Sequence, residues 1–243
     1  MISDQVDVAA ETAGSDDSAI LESIANAGES LLSVVKGPEH HSDGLITYKA
    51  KRLDSTTPIP GIEATVGDYW SWAHSDIMEN TQRGGFAEFL VARVLGRSQD
   101  IRVGWTGYDA EYRSQKIEVK SSAYIQSWPL RQYSRIVFGF QRRRQWYPES
   151  GQMSEALRVA DIYVFAHYFE MDADSANVLD VSKWQFFVAS TQTLVRAFGE
   201  SANTLTLKQV EQVAPSTSLL NLKRAIDQAI DLLQVTQDNS RQR

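Results

Sequence analysis

The chain has 243 residues, of which 42% are hydrophobic, enough for one large domain, or one domain with attachments, and a real core. It contains no cysteine, which excludes disulfides and thiolate metal sites. No run of about 18 apolar residues occurs, so no membrane span is expected. The net charge of −7 argues weakly against a general nucleic-acid binder.

The first stretch, MISDQVDVAAETAGSDD, carries five acids and no base. That is the wrong chemistry for a signal peptide, so residues 1–17 are expected to be a disordered acidic tail on a cytoplasmic protein. Residues 18–66 are expected to hold an N-terminal helix and a loop. Ser18 is placed to cap a helix through about Val35, with Ile20, Leu21, Ile24, Leu31 and Leu32 at helical spacing. Gly37 and Pro38 end it, and Pro58, Pro60 and Gly61 mark mainly loop, with a short strand at Leu45–Ala50.

A core domain is expected over 67–199. Two helices are expected first, at about Asp68–Asn80 and Gly85–Leu95, with Gly84-Gly85 near their junction and Gly96 as the stop. Strands are expected at Ile101–Trp105, Tyr108–Tyr112, Lys116–Ser122 and Arg135–Phe140. A short helix is expected before the apolar run at 160–169, and WQFFVAS at 184–190 reads as another strand. Residues 200–243 read as a C-terminal helical segment, with an amphipathic helix at 218–234 bearing Leu219, Leu222, Ile226, Ala229, Ile230 and Leu233 on one side. The order of elements fits an α/β protein with a mixed sheet flanked by helices.

Charge is distributed unevenly. Between Tyr112 and Pro148 the one acid, Glu118, stands among eight bases, a local balance of +7 against −14 for the rest of the chain. Such a bipolar chain is able to present a cationic face to a polyanion. Glu118 also lies in a strand pattern that gives it chemical meaning. Side chains alternate along a strand, so Ile117 and Val119 take the core side, while Glu118 and Lys120 share the other. Upstream, Asp109 and Glu111 share one face of their strand. A two- or four-residue turn sets Asp109 opposite Glu118 or Lys120; a three-residue turn sets it opposite Val119, unless a bulge intervenes.

Two carboxylates without thiolates suit a hard divalent cation, Mg²⁺ or Mn²⁺, which completes its shell with water and substrate phosphate. Such an ion lowers the pKa of a bound water and neutralises charge on a phosphodiester. Lys120 beside them is suited to steering the attacking water or stabilising the transition state. Glu88 lies on or beside an apolar helical stripe with Val91, Ala92 and Leu95. It reads either as a third site acid or as a first-turn glutamate favoured by the helix dipole. An acid-x-Lys triplet is weak by itself: with 31 acids and 8 lysines, about one is expected by chance.

Taken together, RGGFAEFLVARVLG, GYD and IEVKSS resemble the PD-(D/E)XK nuclease superfamily, the restriction-endonuclease-like fold. The longer run from DYWSWAHSDIMEN to IEVKSSAYIQSW is similar to a narrower bacterial family placed in that superfamily. The resemblance covers roughly 68–190. It implies an αβββαβ core, divalent-metal dependence and hydrolysis of DNA by an endonuclease. It places Asp109, Glu118 and Lys120 at the motif positions and Glu88 at the helical glutamate, with Asp109, Glu118 and Glu88 as metal ligands. Tyr108 stands where the motif has proline.

Gln126, Arg131, Arg135, Arg142, Arg143 and Arg144 are the candidate DNA-binding residues, the arginines gripping the backbone without sequence choice. Tyr124 and Trp128 read as packing residues rather than base-stacking ones. His40, His41, His74 and His167 lack ligand-spaced partners, and His167 reads as a core or edge histidine. The partners expected are DNA and either a homodimer or a larger restriction or defence complex, with 218–234 as a docking surface. The rival expectation is a catalytically silent DNA-binding or protein-interaction module of the same fold.

Overall fold

The computed structural model describes residues 48–102, 104, 107–144 and 155–241, with the backbone of 146–147 and 152–153 and side chains as far as 236. The expected tail at 1–17 and helix at 18–35 lie outside the described residues, as does most of the strand expected at 45–50; residues 48–50 form no strand. The chain divides into two units, the first being 1–49 with 53–71 and the second 50–52 with 72–243.

In the first unit, Pro58 and Thr65 form an isolated antiparallel bridge, and Thr65 leads into helix α1, Val66–His74. Asp68 accepts from both the amide and the hydroxyl of Thr65, at 2.7 and 2.8 Å, and so anchors the helix start. Gly67 has a steric reason: a Cβ there would meet the Ser55 carbonyl oxygen at 2.8 Å. Its own amide donates to that oxygen at 2.7 Å.

The second unit takes in residues 72–74 at the end of α1 and continues with helix α2, Asn80–Val94. Glu79 caps it by accepting from the Thr81 and Gln82 amides. The expected junction at Gly84-Gly85 therefore does not exist; the cap at Glu79 starts the helix early enough to run through both glycines. The stop at Gly96 is as expected, with φ +73° and bonds from Gly96 and Arg97 amides back to Arg93 and Ala92. Residues 101, 102 and 104 are not strand, and the rest of the strand expected at 101–105 lies outside the described residues.

The central sheet has four strands: β1 Ala110–Tyr112, β2 Gln115–Ala123, β6 Ile162–Tyr168 and β7 Trp184–Ser190, in the order β1-β2-β6-β7. β1 and β2 are antiparallel, β2 and β6 parallel, β6 and β7 antiparallel, so the sheet is mixed, as expected. The strand expected at 135–140 forms as β3, Val137–Gly139, but pairs outside this sheet with β8, Thr204–Thr206. Between them in the chain come a short pair, β4 Trp146–Tyr147 and β5 Gln152–Met153. No helix forms over 155–161, the end of the stretch where a helix is expected before β6. Helices α3 Thr191–Phe198, α4 Leu207–Val213 and α5 Leu219–Arg241 complete the unit.

Alternation along the strands builds two cores. On one face Ile117, Val119, Val164, Ala166 and Phe186 pack with Ala87, Leu90 and Val91 of α2 and with Leu222, Ile226, Ile230 and Leu233 of α5. On the other, Tyr163, Phe165, Phe187 and Ala189 pack with Phe138, Phe140, Leu194, Leu205 and Val210. The apolar side of α5 is thus consumed by the core of its own unit. Ile226 is 0% exposed, and Leu220 on the far side is 95% exposed. Ile226→Ala is expected to lower the unfolding free energy by about 2–5 kcal/mol. Leu220→Ala is expected to change it by no more than about 0.5 kcal/mol, both measured by urea denaturation.

Candidate functional site

The β1–β2 connection fixes the site. Tyr112 pairs with Gln115, so the turn has two residues, Arg113 and Ser114, both at positive φ, 51° and 59°. That is the backbone of a type I′ turn, whose twist matches that of the strands. Arg113 is steadied by ion pairs to Asp231 at 2.7 Å and Asp227 at 3.4 Å on α5. The ladder ends at the Ala110–Ile117 pair, and Asp109 stands just beyond it, close enough to feel the charge of Glu118. The Asp109 amide donates to the Ile117 carbonyl at 2.9 Å.

β1 ends where the site begins, and there a side chain continues the pairing. Asp109 Oδ2 accepts from the Val119 amide at 2.7 Å. Glu118 and Lys120 lie on the Tyr163 and Phe165 face of the sheet, across from those residues in the β2–β6 register. Glu118 is buried, 7% exposed, and its Oε1 accepts from Lys120 Nζ. The carboxyl of Asp109 is pushed up to about 7, first by desolvation, then by the charges of Glu118 and Glu88; the Val119 bond and Lys120 oppose the shift. The residue as a whole remains exposed, so water screens part of this effect.

Glu88 belongs to the middle of α2 and not to its first turn, which removes the helix-dipole reading. Its two oxygens accept from Arg102, Nε at 2.5 Å and Nη2 at 2.8 Å. This hydrogen bonding keeps Arg102 more firmly protonated than usual. Sequence reasoning missed Arg102; fourteen residues from Glu88 and without periodic spacing, it gave no signal. Tyr163 was also missed. Its phenol is pushed up to about 12, first by burial and then by Glu118. The alternation of the 160–169 run assigns Tyr163 to a face, but only the β2–β6 register places it beside Glu118.

The expected DNA contacts are dispersed. Arg131, Arg135, Arg142, Arg143 and Arg144 are all exposed. Arg158 and, to a lesser degree, Arg143 lower the Tyr163 phenol pKa. Arg142 pairs with Glu200 at 2.7 Å. Arg131 lines a cleft of about 1130 Å³ with Trp128, Tyr133 and Glu170, and Arg135 lines a separate hollow with Tyr124 and Lys208. Gln126 is engaged internally, accepting from the buried Arg83 at 3.2 Å and donating to the Ala123 carbonyl at 3.0 Å. Tyr124 packs edge-on against His167, as a packing residue would, whereas Trp128 is exposed. His167 is buried and its pKa is lowered to about 4 by desolvation, in keeping with a core histidine.

Among the described residues no three His, Cys, Asp or Glu side chains gather so as to hold a metal ion. The donor set that does converge, Asp109 and Glu118, is two hard carboxylates whose mutual repulsion a cation would relieve. Such a pair fits Mg²⁺, which is held by one or two carboxylates and keeps several waters. Comparison of the chain with family models, with curated proteins and with solved structures finds no match. No helix among the described residues is long and apolar enough to cross a membrane.

The raised Asp109 pKa has a direction for stability. Between the usual 3.8 and about 7 the folded chain holds a proton that the unfolded chain does not. The resulting stabilisation is complete below the lower value and is lost as pH rises through the upper one. Carboxyl-detected NMR titration is expected to give an Asp109 midpoint near 7, and Glu118→Gln is expected to lower it by removing the repelling charge. A midpoint near 4 in the wild type would contradict this geometry.

Proposed function

We propose that the chain is a divalent-metal-dependent nuclease that hydrolyses DNA phosphodiester bonds, built on a restriction-endonuclease-like version of the observed mixed sheet. The observation that carries the reading is the Asp109–Glu118–Lys120 arrangement. The Asp109 carboxyl is raised first by burial and then by the charge of Glu118, and one ammonium, Lys120, is bound to Glu118. Asp109 and Glu118 would hold Mg²⁺ or Mn²⁺. The bound ion would supply an acidified water and charge neutralisation at the phosphate. Lys120 orients the attacking water from its place beside Glu118. Tyr163 and Phe165 shield that face of the sheet from bulk water. The exposed arginines of 131–144 grip the backbone. Restriction or defence is the biological setting this chemistry suits, with DNA as the partner and with self-association or a larger complex open to it.

A second reading has its own observation. Glu118 is already neutralised by Lys120 and Glu88 by Arg102, with no three-ligand cluster among the described residues. That state of the site suits a silent DNA-binding or protein-interaction module.

Incubation of the full chain with supercoiled plasmid and Mg²⁺ separates the two. The nuclease reading expects nicking or linearisation that EDTA abolishes. Lys120→Ala is expected to slow cleavage by roughly 10²–10³-fold, the scale of losing one transition-state donor, and Asp109→Asn to slow it at least as much. A silent module would bind DNA equally with Mg²⁺ or EDTA and leave it intact. Equal cleavage by wild type and both variants would remove the proposed site.

A further inference from the structure

The Glu88–Arg102 pair has no part in the scheme above, yet its geometry is specific. Both oxygens of Glu88 already accept from one guanidinium fork, a charge-assisted, bidentate pair that neutralises the carboxylate. Glu88 is 16% exposed and Arg102 57%, so the cation is the accessible member. Gly85, one turn earlier on α2, has Arg102 Nε 4.0 Å from where a Cβ would stand, and no nearer neighbour. The guanidinium therefore lies along the helix from Gly85 to Glu88. Ala87 and Val91 of that helix share a core with Val119, whose amide holds the Asp109 carboxyl. The helix thus delivers the pair to the Asp109 end of the site. Electrostatics agree, since Asp109 responds to the charge of Glu88 and Arg102 to that of Asp109.

We propose that Arg102, oriented by Glu88, contacts a non-bridging oxygen of the substrate phosphodiester, and that Glu88 is a positioning residue and not a metal ligand. The proposal rests on the nuclease reading and names the cation that meets the phosphate. A guanidinium carries five N–H donors, and the pair with Glu88 uses two of them. The neutralised pair directs its remaining donors without adding net positive charge beside the metal carboxylates. Its fixed fork also loses less freedom on binding phosphate than a mobile side chain would.

Four variants of the full chain test this: Arg102→Gln, Arg102→Lys, Glu88→Gln and the Glu88→Gln/Arg102→Gln double variant, each checked for an unchanged thermal transition. DNA affinity is measured in EDTA, where nothing is cut, across a range of salt, and Mn²⁺ affinity by calorimetry without DNA. Arg102→Gln is expected to lower the salt slope of DNA binding by about one phosphate contact. Glu88→Gln is expected to leave the Mn²⁺ affinity within about twofold, since losses of roughly 10–100-fold belong to groups that hold or orient a metal ligand.

In cleavage, Glu88→Gln and Arg102→Gln are each expected to lower kcat by about 10-fold or more, the double variant falling no further than the worse single, because the two act as a unit. Arg102→Lys, lacking the fork, is not expected to restore kcat. A roughly tenfold weaker Mn²⁺ affinity in Glu88→Gln would make Glu88 a metal ligand and overturn the proposal, as would an unchanged salt slope in Arg102→Gln. If the wild type binds DNA but never cuts it, the nuclease reading fails, and the salt slope and Mn²⁺ titration still decide the role of Arg102.

Discussion

A strand has two faces, and slipping its pairing by one residue exchanges them. The candidate site depends on that constraint at the Arg113-Ser114 turn. With two residues in the turn, the ladder runs to Ala110 opposite Ile117 and leaves Asp109 just beyond it, within the field of Glu118. With three, Asp109 would fall across from Val119, whose side chain belongs to the core. Neither turn residue is glycine, and a non-glycine residue at positive φ is unfavourable by about 1–2 kcal/mol. The ion pairs from Arg113 to Asp227 and Asp231 offset part of that and tie the turn to α5. The register of the edge hairpin is therefore set partly by a helix more than a hundred residues further along the chain.

The brevity of β1 matters as much as its register. A longer β1 would satisfy the Val119 amide through its own backbone. Because pairing stops at Ala110, the amide is open and the Asp109 carboxylate takes it. The bond orients the carboxylate, while desolvation and the neighbouring acids work against its charge. An acid held in place yet unfavourable to ionise is a common feature of functional sites, and structural ion-pair networks produce it too.

The cations are arranged in two kinds. Lys120 and Arg102 are each bound to a site acid, Glu118 and Glu88. The arginines of 131–144 are exposed, Arg131 lining a cleft and Arg135 a separate hollow. A sequence count of local charge merges the two kinds. They differ in setting, since the first kind is tied to site acids, while exposed cations contribute salt-dependent affinity.

The sequence by itself determined what local pattern can carry. Alternation in KIEVKSS put Ile117 and Val119 inward and Glu118 with Lys120 on the opposite face, and WQFFVAS formed a strand over its full length. The amphipathic stripe of 218–234 marked a helix, and Gly96 marked a helix end. Those features depend on residues close together in the chain. Tertiary structure alone decided the rest: that β3 leaves the central sheet for β8, that α5 closes the core, that Glu88 is held by Arg102, and that Tyr163 stands beside Glu118. Each depends on which distant segments pair or pack. That choice is governed by burial and register summed over the whole unit, and no short window of sequence contains it.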